Sequence, residues 1–259
     1  MKAMILAAGL GTRLRPLTDN RPKALVEING RTMLEITLSR LRGFGVREVM
    51  INVFHFADMI EQYLHANKNF GLNIEVSREE TLLDTGGGLK KAAYFFLSSS
   101  PQDSRAASTE VAGKSDDPFI VHNVDVLSTI DLQELVQVHK KSGALATLAV
   151  QERKSSRQLL FDNRFQLCGR RSENSHDDLV GTAQPAHALA FSGIHVIAPR
   201  LLRMLSEDGA FSIVNSYMRL AGSGEKIMAY PADKYYWRDL GTPESLGQAA
   251  EDIRRRQLV

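Results

Sequence analysis

The sequence begins MKAMILAAGLGTRLRPLTDNRPKAL (residues 1–25), where a short apolar run leads directly into glycines and basic residues. The pattern predicts a buried β-strand at residues 3–6, because the run is short, apolar and ends at a glycine-containing turn. Gly9 and Gly11 follow the run, and four basic residues come by position 23. Open parallel sheets bind ligands beyond the carboxyl ends of their strands, so this segment is predicted to border a binding site.

Outward from this stretch, apolar runs alternate with amphipathic segments as far as residue 150. This β-α-β-α order implies parallel pairing with crossover helices on both faces of the sheet. The predicted fold class is therefore α/β, with a doubly wound, mostly parallel sheet. The predicted strands are 3–6, 48–53, 72–77, 119–122 and 144–150, and the predicted helices are 32–45 (capped by Thr32), 58–65, 85–97 (entered through a glycine loop) and 131–141 (opened by Asp131).

The alternation is less regular after residue 150. A strand interrupted by small residues is predicted at 188–197, and a polar helix at 244–257. The polar stretches at 98–118 and 169–187 are predicted as surface loops, because they contain few large apolar residues that would anchor them in a core.

Composition limits the classes of function. Of the 259 residues, 43% are hydrophobic and 24% charged, as is usual for a soluble globular protein. A formal net charge of +2 provides no global field for nucleic acid, so no such partner is predicted. Cys168 is the only cysteine, which excludes an intramolecular disulfide and favours a reducing, cytoplasmic location. No apolar run approaches the roughly 18 residues of a membrane span, so no membrane association is predicted.

Several explanations compete for the glycine-rich segment. A dinucleotide-binding fingerprint requires a third glycine at position 14, where the chain has Leu14. A Walker A loop is excluded because its spacing and its Gly-Lys-Ser/Thr ending are missing. An ordinary glycine turn with exposed arginines is the remaining structural alternative to a phosphate-binding loop.

The stretch L-A-A-G-L-G-T-R-L-R-P-L-T at 6–18, followed by R-P-K-A-L at 21–25, resembles the signature of the sugar-1-phosphate nucleotidyltransferases. Ala24 stands where that family usually has proline. The resemblance implies a Rossmann-like nucleotidyltransferase core with a smaller β elaboration on the sugar side. It also assigns roles at the nucleotide: contact by Ala8, Gly9 and Gly11, and catalytic stabilisation of the phosphates by Arg13 and Lys23.

These residue types suit the implied chemistry. Attack on an α-phosphorus concentrates negative charge on the transferring phosphate and on the departing pyrophosphate. Fixed cations and backbone donors stabilise that charge without reorganising. Arg13 offers a planar fork and Lys23 a compact point charge, whereas Arg15 and Arg21 are expected to be solvated.

A second segment, EETLLDTGGG at 79–88, resembles the family's base- and sugar-contacting segment, especially its E-T-G-G-G form in muramic acid phosphate uridylyltransferases. The resemblance makes Glu79, Gly87 and Gly88 candidates for nucleotide binding. The structural alternative is a tight turn, because three glycines are costly inside a helix.

Two aspartates are predicted as metal ligands. Asp125 lies in HNVDV at 122–126 and Asp239 in YYWRDLGTPESL at 235–246, and both segments resemble magnesium-binding segments of the family. Val124 replaces a glycine that most family members have. Two carboxylates, with nucleotide oxygens and water, would form an oxygen site for Mg²⁺.

The segment FSGIHVI at 191–197 resembles the part of the family that lies against the sugar. Ser192 and Gly193 are therefore sugar-binding candidates, and the alternative is a strand with a bulge. A second lysine found just before this segment in larger relatives has no clear counterpart, since Lys154 lacks the flanking pattern.

The prediction is one nucleotidyltransferase domain over 1–259, with a nucleotide-binding half (1–150) and a half for the sugar and second metal ligand (151–259). It would condense an NTP (UTP or GTP) with a sugar 1-phosphate, as a step of nucleotide-sugar biosynthesis. The resemblance points to the branch of N-acetylmuramate-1-phosphate uridylyltransferases and short mannose-1-phosphate guanylyltransferases. A non-catalytic nucleotide-sugar sensor is the alternative; Leu14 disfavours an NAD-dependent oxidoreductase. The oligomeric state is open, and a homo-oligomer is allowed.

Overall fold

The computed structural model describes residues 1–97, 117–172, 176–182 and 184–256. The strands are β1 (Lys2–Leu6), β2 (Glu27–Ile28), β3 (Arg31–Thr32), β4 (Glu48–Val53), β5 (Asn73–Arg78), β6 (Phe119–Asn123), β7 (Val126–Ser128), β8 (Ala146–Gln151), β9 (Arg157–Phe161), β10 (Leu167–Ser172), β11 (Asp178–Leu179), β12 (His187–Ile197), β13 (Ile227–Pro231) and β14 (Trp237–Asp239). The α-helices are α1 (Met33–Gly43), α2 (Ala57–Ala66), α3 (Asp84–Lys91), α4 (Ala93–Leu97), α5 (Leu132–Ser142), α6 (Ile213–Gly222) and α7 (Pro243–Arg256).

A ten-stranded sheet forms the centre of the molecule, in the order β11-β10-β9-β12-β6-β1-β4-β5, and β8 pairs with both β12 and β13. The strands β6, β1, β4 and β5 are parallel to one another. The long strand β12 runs antiparallel to β6, β8 and β9, and so joins the parallel part to an antiparallel extension. The predicted α/β fold with a mostly parallel sheet and a β elaboration is confirmed.

The sheet is buried on both faces, which explains its continuous apolar strands. In β1, Ile5 belongs to one core cluster and Met4 to the other; in β4, Ile51 and Met50 divide in the same way. Helices α1, α2, α5 and α7 contribute to the first cluster, and α3, α4 and α6 to the second. The predicted doubly wound arrangement is therefore present.

Two predicted helix starts are confirmed. The Thr32 hydroxyl oxygen accepts a hydrogen bond from the Glu35 N–H at 3.0 Å. The Asp131 carboxylate accepts from the N–H groups of Gln133 and Glu134 at 2.8 and 3.0 Å. Each side chain satisfies backbone donors that the first turn of its helix leaves unpaired.

Two predictions were wrong in detail. Helix α3 begins at Asp84, so the three glycines lie inside a helix and not in a loop before it. The polar stretch 169–187 contains most of β10 and all of β11. The polar sequence is explained by the exposure of β11, which is the edge strand, and of the last residues of β10. Of the other predicted loop, residues 98–116 lie outside the described residues.

Candidate active site

A cavity of about 510 Å³, the first cavity, opens at the carboxyl ends of β1, β4 and β6. This is where an open parallel sheet binds ligands. Its wall contains six of the predicted site residues: Ala8, Gly9, Gly11, Arg13, Lys23 and Asp125. The segment after β1 therefore forms one side of the cavity.

The glycine loop folds back on the segment that carries Lys23. Gly11 has φ of +67°, and a Cβ there would lie 3.0 Å from Thr18 Cγ2 and 3.1 Å from Lys23 Cβ. The Thr18 hydroxyl donates to the Gly11 carbonyl oxygen at 2.9 Å. Glycine is thus required at position 11 by backbone conformation and by close packing. The result is that two separate parts of the motif meet at one wall.

Lys23 and Asp125 form an ion pair within the first cavity. The Lys23 ammonium donates to Asp125 Oδ2, and the two side chains are 9% and 20% exposed. Lys23 lies in a short 3₁₀ turn, Lys23–Leu25, and Asp125 follows β6. A largely buried pair of this kind holds both charges close together.

Asp239 reaches the same place from the other half of the chain. Strands β7 and β14 are antiparallel, with Asp239 opposite Val126, and the Leu240 N–H donates to the Asp125 carbonyl oxygen at 2.8 Å. The two-stranded ladder therefore brings the two predicted metal ligands to neighbouring strand ends. Asp239 also accepts from the Gly241 N–H at 2.9 Å.

Arg13 lies between the two halves. Its Nη2 is 3.8 Å from Asp239 Oδ1, and the two side chains are 66% and 41% exposed. A Cβ at Gly241 would lie 2.5 Å from the same Arg13 nitrogen, so glycine makes room for the guanidinium. The Arg13 charge is thus open to solvent and available to a ligand.

The carboxylates fit a magnesium ion in kind. Asp125 and Asp239 offer hard oxygen donors, which Mg²⁺ prefers, and few protein ligands suffice when phosphate oxygens and water complete the octahedron. Among the described residues, no group of three or more His, Cys, Asp or Glu side chains forms a metal cluster. Two carboxylates would leave most of the coordination positions to ligand oxygens and water.

Val124 does not disturb this geometry. It is 4% exposed and packs in the first core cluster, while its N–H donates to the Leu6 carbonyl oxygen at 3.1 Å. It is also absent from the residues with positive φ, so no glycine is needed for its backbone. Valine is accommodated here without strain.

A second cavity of about 390 Å³ adjoins the first and shares Arg13 and Asn123 with it. Ser192, Gly193 and Asp239 lie in its wall. Gly193 has φ of +71°, and the register of β12 against β8 shifts between Phe191 and His195. The predicted bulge is therefore present, and it lines a cavity.

Sequence reasoning missed Arg153 in the second cavity. Its guanidinium lies 3.8 Å from the centre of the Trp237 ring, and its Nη2 donates to the Phe191 carbonyl oxygen at 2.8 Å. Its Nε is buried without a partner among the described residues. Burial lowers the pKa of Arg153, and the Asp239 charge opposes this shift. The only sequence signal was its basic character in a stretch that reads as solvated.

Two further polar groups belong to the same wall. The Ser192 hydroxyl oxygen is buried and has no partner among the described residues, while the Trp237 indole donates to the Ser192 carbonyl oxygen at 2.7 Å. Lys154 also lines this cavity, although its flanking sequence gave no reason to choose it. The second cavity thus combines cations with an unused hydroxyl group.

Glu79, Gly87 and Gly88 lie behind the wall of the first cavity, and are not among its lining residues. A Cβ at Gly87 would lie 2.4 Å from the Gly209 carbonyl oxygen, and one at Gly88 2.7 Å from Glu79 Oε1. Glu79 accepts hydrogen bonds from the Asn52 amide and the Leu83 N–H. Close packing within the chain is thus reason enough for these glycines, and direct contact of the three residues with a nucleotide stays a prediction. Leu82, Asp84 and Thr85 line the cavity instead.

His122 does not reach either cavity. It is fully buried in β6, where burial lowers its pKa to about 4 and the charge of Arg40 adds to that effect. Arg15 is exposed and lies 3.4 Å from Asp19, as expected for a solvated residue.

The fold and the two adjoining cavities define an α/β protein with carboxylate–cation pairs at the carboxyl ends of its parallel strands. Residues 2–159 match the family described as Nucleotidyl transferase, and the chain belongs to that family. A solved structure of UDP-glucose pyrophosphorylase with UDP-glucose has the same fold, with a TM-score of 0.76, 16% identity and 98% of each chain covered.

Three curated relatives narrow the class. The chain is 32% identical to N-acetylmuramate alpha-1-phosphate uridylyltransferase of Caulobacter vibrioides, covering 94% of this chain and 93% of that one. It is 29% identical to UTP–glucose-1-phosphate uridylyltransferase of Synechocystis and to mannose-1-phosphate guanylyltransferase of Mycobacterium tuberculosis, covering 100% and 98% of this chain. The chain spans only 64% of the length of these last two. All three relatives are named as sugar-1-phosphate nucleotidyltransferases, which is the enzyme class that the sequence predicts.

No helix in the described residues is both long enough and apolar enough to cross a bilayer.

Proposed function

We propose that this chain condenses an NTP with a sugar 1-phosphate to give an NDP-sugar and pyrophosphate. The observation that carries the proposal is the meeting of two ion pairs, Lys23–Asp125 and Arg13–Asp239, where the first and second cavities adjoin. Charges concentrated between two cavities suit a reaction that joins two anionic substrates at one phosphorus atom.

The nucleotide would occupy the first cavity. Ala8, Gly9 and Gly11 offer a backbone surface to the triphosphate, since a Cβ at Gly9 would have no atom within 4 Å. Arg13 and Lys23 would stabilise the charge that develops on the α-phosphate and on the leaving pyrophosphate. Leu82, 40% exposed, offers an apolar surface to the base.

Asp125 and Asp239 would hold Mg²⁺. When bound there, the metal neutralises phosphate charge and orients the attacking and leaving oxygens. Each carboxylate has a basic side chain as its partner, so the metal would take the place of those cations. Lys23 and Arg13 would then transfer their interactions from these carboxylates to phosphate oxygens.

The sugar 1-phosphate would occupy the second cavity. Arg153 has a desolvated guanidinium with no acidic partner within salt-bridge distance among the described residues, and Ser192 has a free hydroxyl group nearby in the same wall. Both gain a partner from an anionic ligand. No general base is required, because the phosphate that attacks is already ionised near neutral pH.

The two proposed halves of the chain contribute unequally to these cavities. Residues 1–150 supply most of the first cavity, and residues 151–259 most of the second. Ala210 and Gly241 nevertheless line the first cavity, while Arg13, Asn123 and Val126 line the second. We therefore infer one functional domain over 1–259, with its site at the junction of the halves.

We favour UTP or GTP as the nucleotide, because the curated relatives include uridylyl- and guanylyltransferases. The cytoplasm is the compartment expected for an enzyme of nucleotide-sugar biosynthesis with a buried free cysteine. We expect no nucleic-acid or membrane partner.

The test is release of pyrophosphate from a matrix of NTPs and sugar 1-phosphates, with Mg²⁺ and with excess chelator. Release that depends on both substrates and on the metal is expected for at least one pair. Binding of nucleotide sugar without release from any pair would favour the alternative, a non-catalytic sensor.

A further inference from the structure

Asn52 holds the start of the glycine loop (residues 8–11). It lies in β4 opposite Leu6 of β1, and it lines the first cavity although it is only 3% exposed. Its side-chain oxygen accepts a hydrogen bond from the Ala7 N–H at 2.9 Å. Ala7 is the first residue after β1, so this bond fixes the backbone at the point where the strand passes into the loop.

The other end of the Asn52 amide is held by a buried carboxylate. The amide nitrogen donates to Glu79 Oε1 at 2.7 Å, and Glu79 Oε2 accepts from the Leu83 N–H at 2.9 Å. Glu79 is 6% exposed and has no basic side chain within salt-bridge distance among the described residues. The cost of burying this carboxylate is therefore offset by hydrogen bonds and not by a cation.

The Glu79 carboxylate determines which way the Asn52 amide faces. An ionised carboxylate only accepts hydrogen bonds, whereas an amide has one end that donates and one that accepts. Glu79 therefore requires the amide nitrogen on its side, which leaves the amide oxygen for the Ala7 N–H. Gly88 makes room for this contact, because a Cβ there would lie 2.7 Å from both Asn52 Nδ2 and Glu79 Oε1.

Three hydrogen bonds in series thus join two walls of the first cavity. The series begins at Ala7, next to the glycine loop, and ends at Leu83, next to Leu82 in the opposite part of the wall. In the proposed function, the glycine loop faces the triphosphate and Leu82 faces the base. Both surfaces therefore depend on the same pair of buried side chains.

We propose that Asn52 and Glu79 are positioning residues for the NTP, with Glu79 acting through Asn52 on the glycine loop. The inference rests on the proposed function, in which the first cavity holds the nucleotide. A backbone surface that is fixed before the ligand arrives binds it without the cost of ordering the loop. Loss of the series should therefore weaken binding of the NTP and leave binding of the sugar 1-phosphate nearly unchanged.

Isosteric variants test the order of donors and acceptors. In Asn52→Asp two carboxylates face each other, and in Glu79→Gln one donor faces another whichever way the two amides turn. Each single variant should lower kcat/KM and calorimetric affinity for the NTP by about tenfold, because one buried hydrogen bond is lost. The KM for the sugar 1-phosphate should change by less than about threefold.

The double variant, Asn52→Asp with Glu79→Gln, reverses the order and keeps every bond. The new glutamine donates to the new aspartate and accepts from the Leu83 N–H, while the aspartate accepts from the Ala7 N–H. Affinity for the NTP should return to within about threefold of the wild type, since the charge now lies nearer the phosphates. A direct contact of either original side chain with the nucleotide would not be restored by this exchange.

The matched control is Thr147→Val. It removes a buried hydroxyl group 3.0 Å from His139 Nδ1, and Thr147 lines neither the first nor the second cavity. Like each single variant, it should lower the free energy of unfolding in urea. It should leave kcat/KM for the NTP unchanged, which separates a loss of stability from a loss of positioning.

Two results would overturn the inference. One is wild-type kcat/KM and affinity for the NTP in both single variants. The other is a folded double variant that binds the NTP no better than the single variants. If no pair of substrates releases pyrophosphate while affinity for the NTP is still lost in the single variants and regained in the double variant, the proposed function fails and the positioning role stands.

Discussion

The first and second cavities satisfy their polar groups in opposite ways. In the first cavity, Lys23 and Asp125 are already paired and nearly buried together. In the second, Arg153 Nε and the Ser192 hydroxyl are buried without partners among the described residues. The first cavity must therefore exchange internal bonds when a ligand arrives, whereas the second gains bonds that it lacked. Residues of the first should control the chemical step, and residues of the second the affinity for the sugar.

The carboxylate variants give the strongest test of the first half of this contrast. Asp125→Asn and Asp239→Asn should each lower kcat by about a hundredfold or more, because each removes a metal ligand and its charge at the phosphates. The Mg²⁺ concentration that gives half of the maximal rate should rise as well. Steady-state kinetics over a range of Mg²⁺ concentrations would measure both effects.

Asp208→Asn is the matched control, since it removes an exposed carboxylate that pairs with Lys90 and lines neither cavity. It should leave kcat unchanged. Near-normal kcat in both Asp125→Asn and Asp239→Asn would refute their assignment as metal ligands.

The two cavities also differed in how well they could be predicted from the sequence. One side of the first is built by a continuous stretch that follows a strand, so that side was evident from residues 6–25 together with Asp125. The second depends on Arg153 meeting Trp237, which are far apart in the chain and approach each other at β12, where both donate to backbone carbonyl oxygens. No local pattern contains that contact.

The three glycines of α3 show another limit. The sequence indicated close approach at Gly87 and Gly88, and the structure confirms close approach, but by the backbone of residue 209 and the side chains of Asn52 and Glu79. A sequence cannot distinguish a glycine needed by a ligand from one needed by a distant segment of the same chain. The same long-range dependence explains why the polar edge strand β11 was missed.

The junction between the two regions should be sensitive to acid. His122 in β6 and His195 in β12 are buried where these strands pair, and burial is the main cause that lowers their pKa values to about 4 and about 3. The histidines of the unfolded chain take up protons near pH 6.5, whereas the buried ones stay neutral. The unfolding free energy is therefore at its full value above pH 6.5 and falls as the pH falls below it. At pH 5, one such histidine should cost about 2 kcal/mol of unfolding free energy.

Urea unfolding at pH 7 and pH 5 would measure this loss. His195→Phe should reduce the difference between the two pH values, because one of the buried titrating groups is removed. His65→Phe is the control, since His65 is exposed on α2. An unfolding free energy that is unchanged between pH 7 and pH 5 would contradict the neutral state of both buried histidines.

Arg153 tests the second cavity through affinity. Arg153→Gln should raise KM for the sugar 1-phosphate by about tenfold, because it removes a desolvated cation from the wall. The effect on kcat and on KM for the NTP should be much smaller. Arg153→Lys should restore little of the lost affinity for the sugar 1-phosphate, since lysine lacks the planar group that lies against Trp237.

The control for Arg153 is Lys141→Gln, which changes an exposed cation at the end of α5 that lines neither the first nor the second cavity. It should change neither the KM for the sugar 1-phosphate nor the KM for the NTP. A fall in kcat with an unchanged KM for the sugar 1-phosphate would place Arg153 on the chemical step and break the contrast between the cavities.

The smallest expected effect concerns stability at two buried serines. Ser192→Ala removes a hydroxyl group without a partner, so the unfolding free energy should stay the same or rise by up to about 1 kcal/mol. Ser128→Ala removes a hydroxyl oxygen that accepts from the Ile130 N–H at 3.0 Å, and should cost about 1–2 kcal/mol. Urea unfolding of both variants measures the difference, and KM for the sugar 1-phosphate should rise about threefold in Ser192→Ala alone. If Ser192→Ala destabilises the chain as much as Ser128→Ala, the Ser192 hydroxyl group already has a partner in the folded chain. The polar groups of the second cavity would then have partners as those of the first do, and the contrast between the cavities would fail.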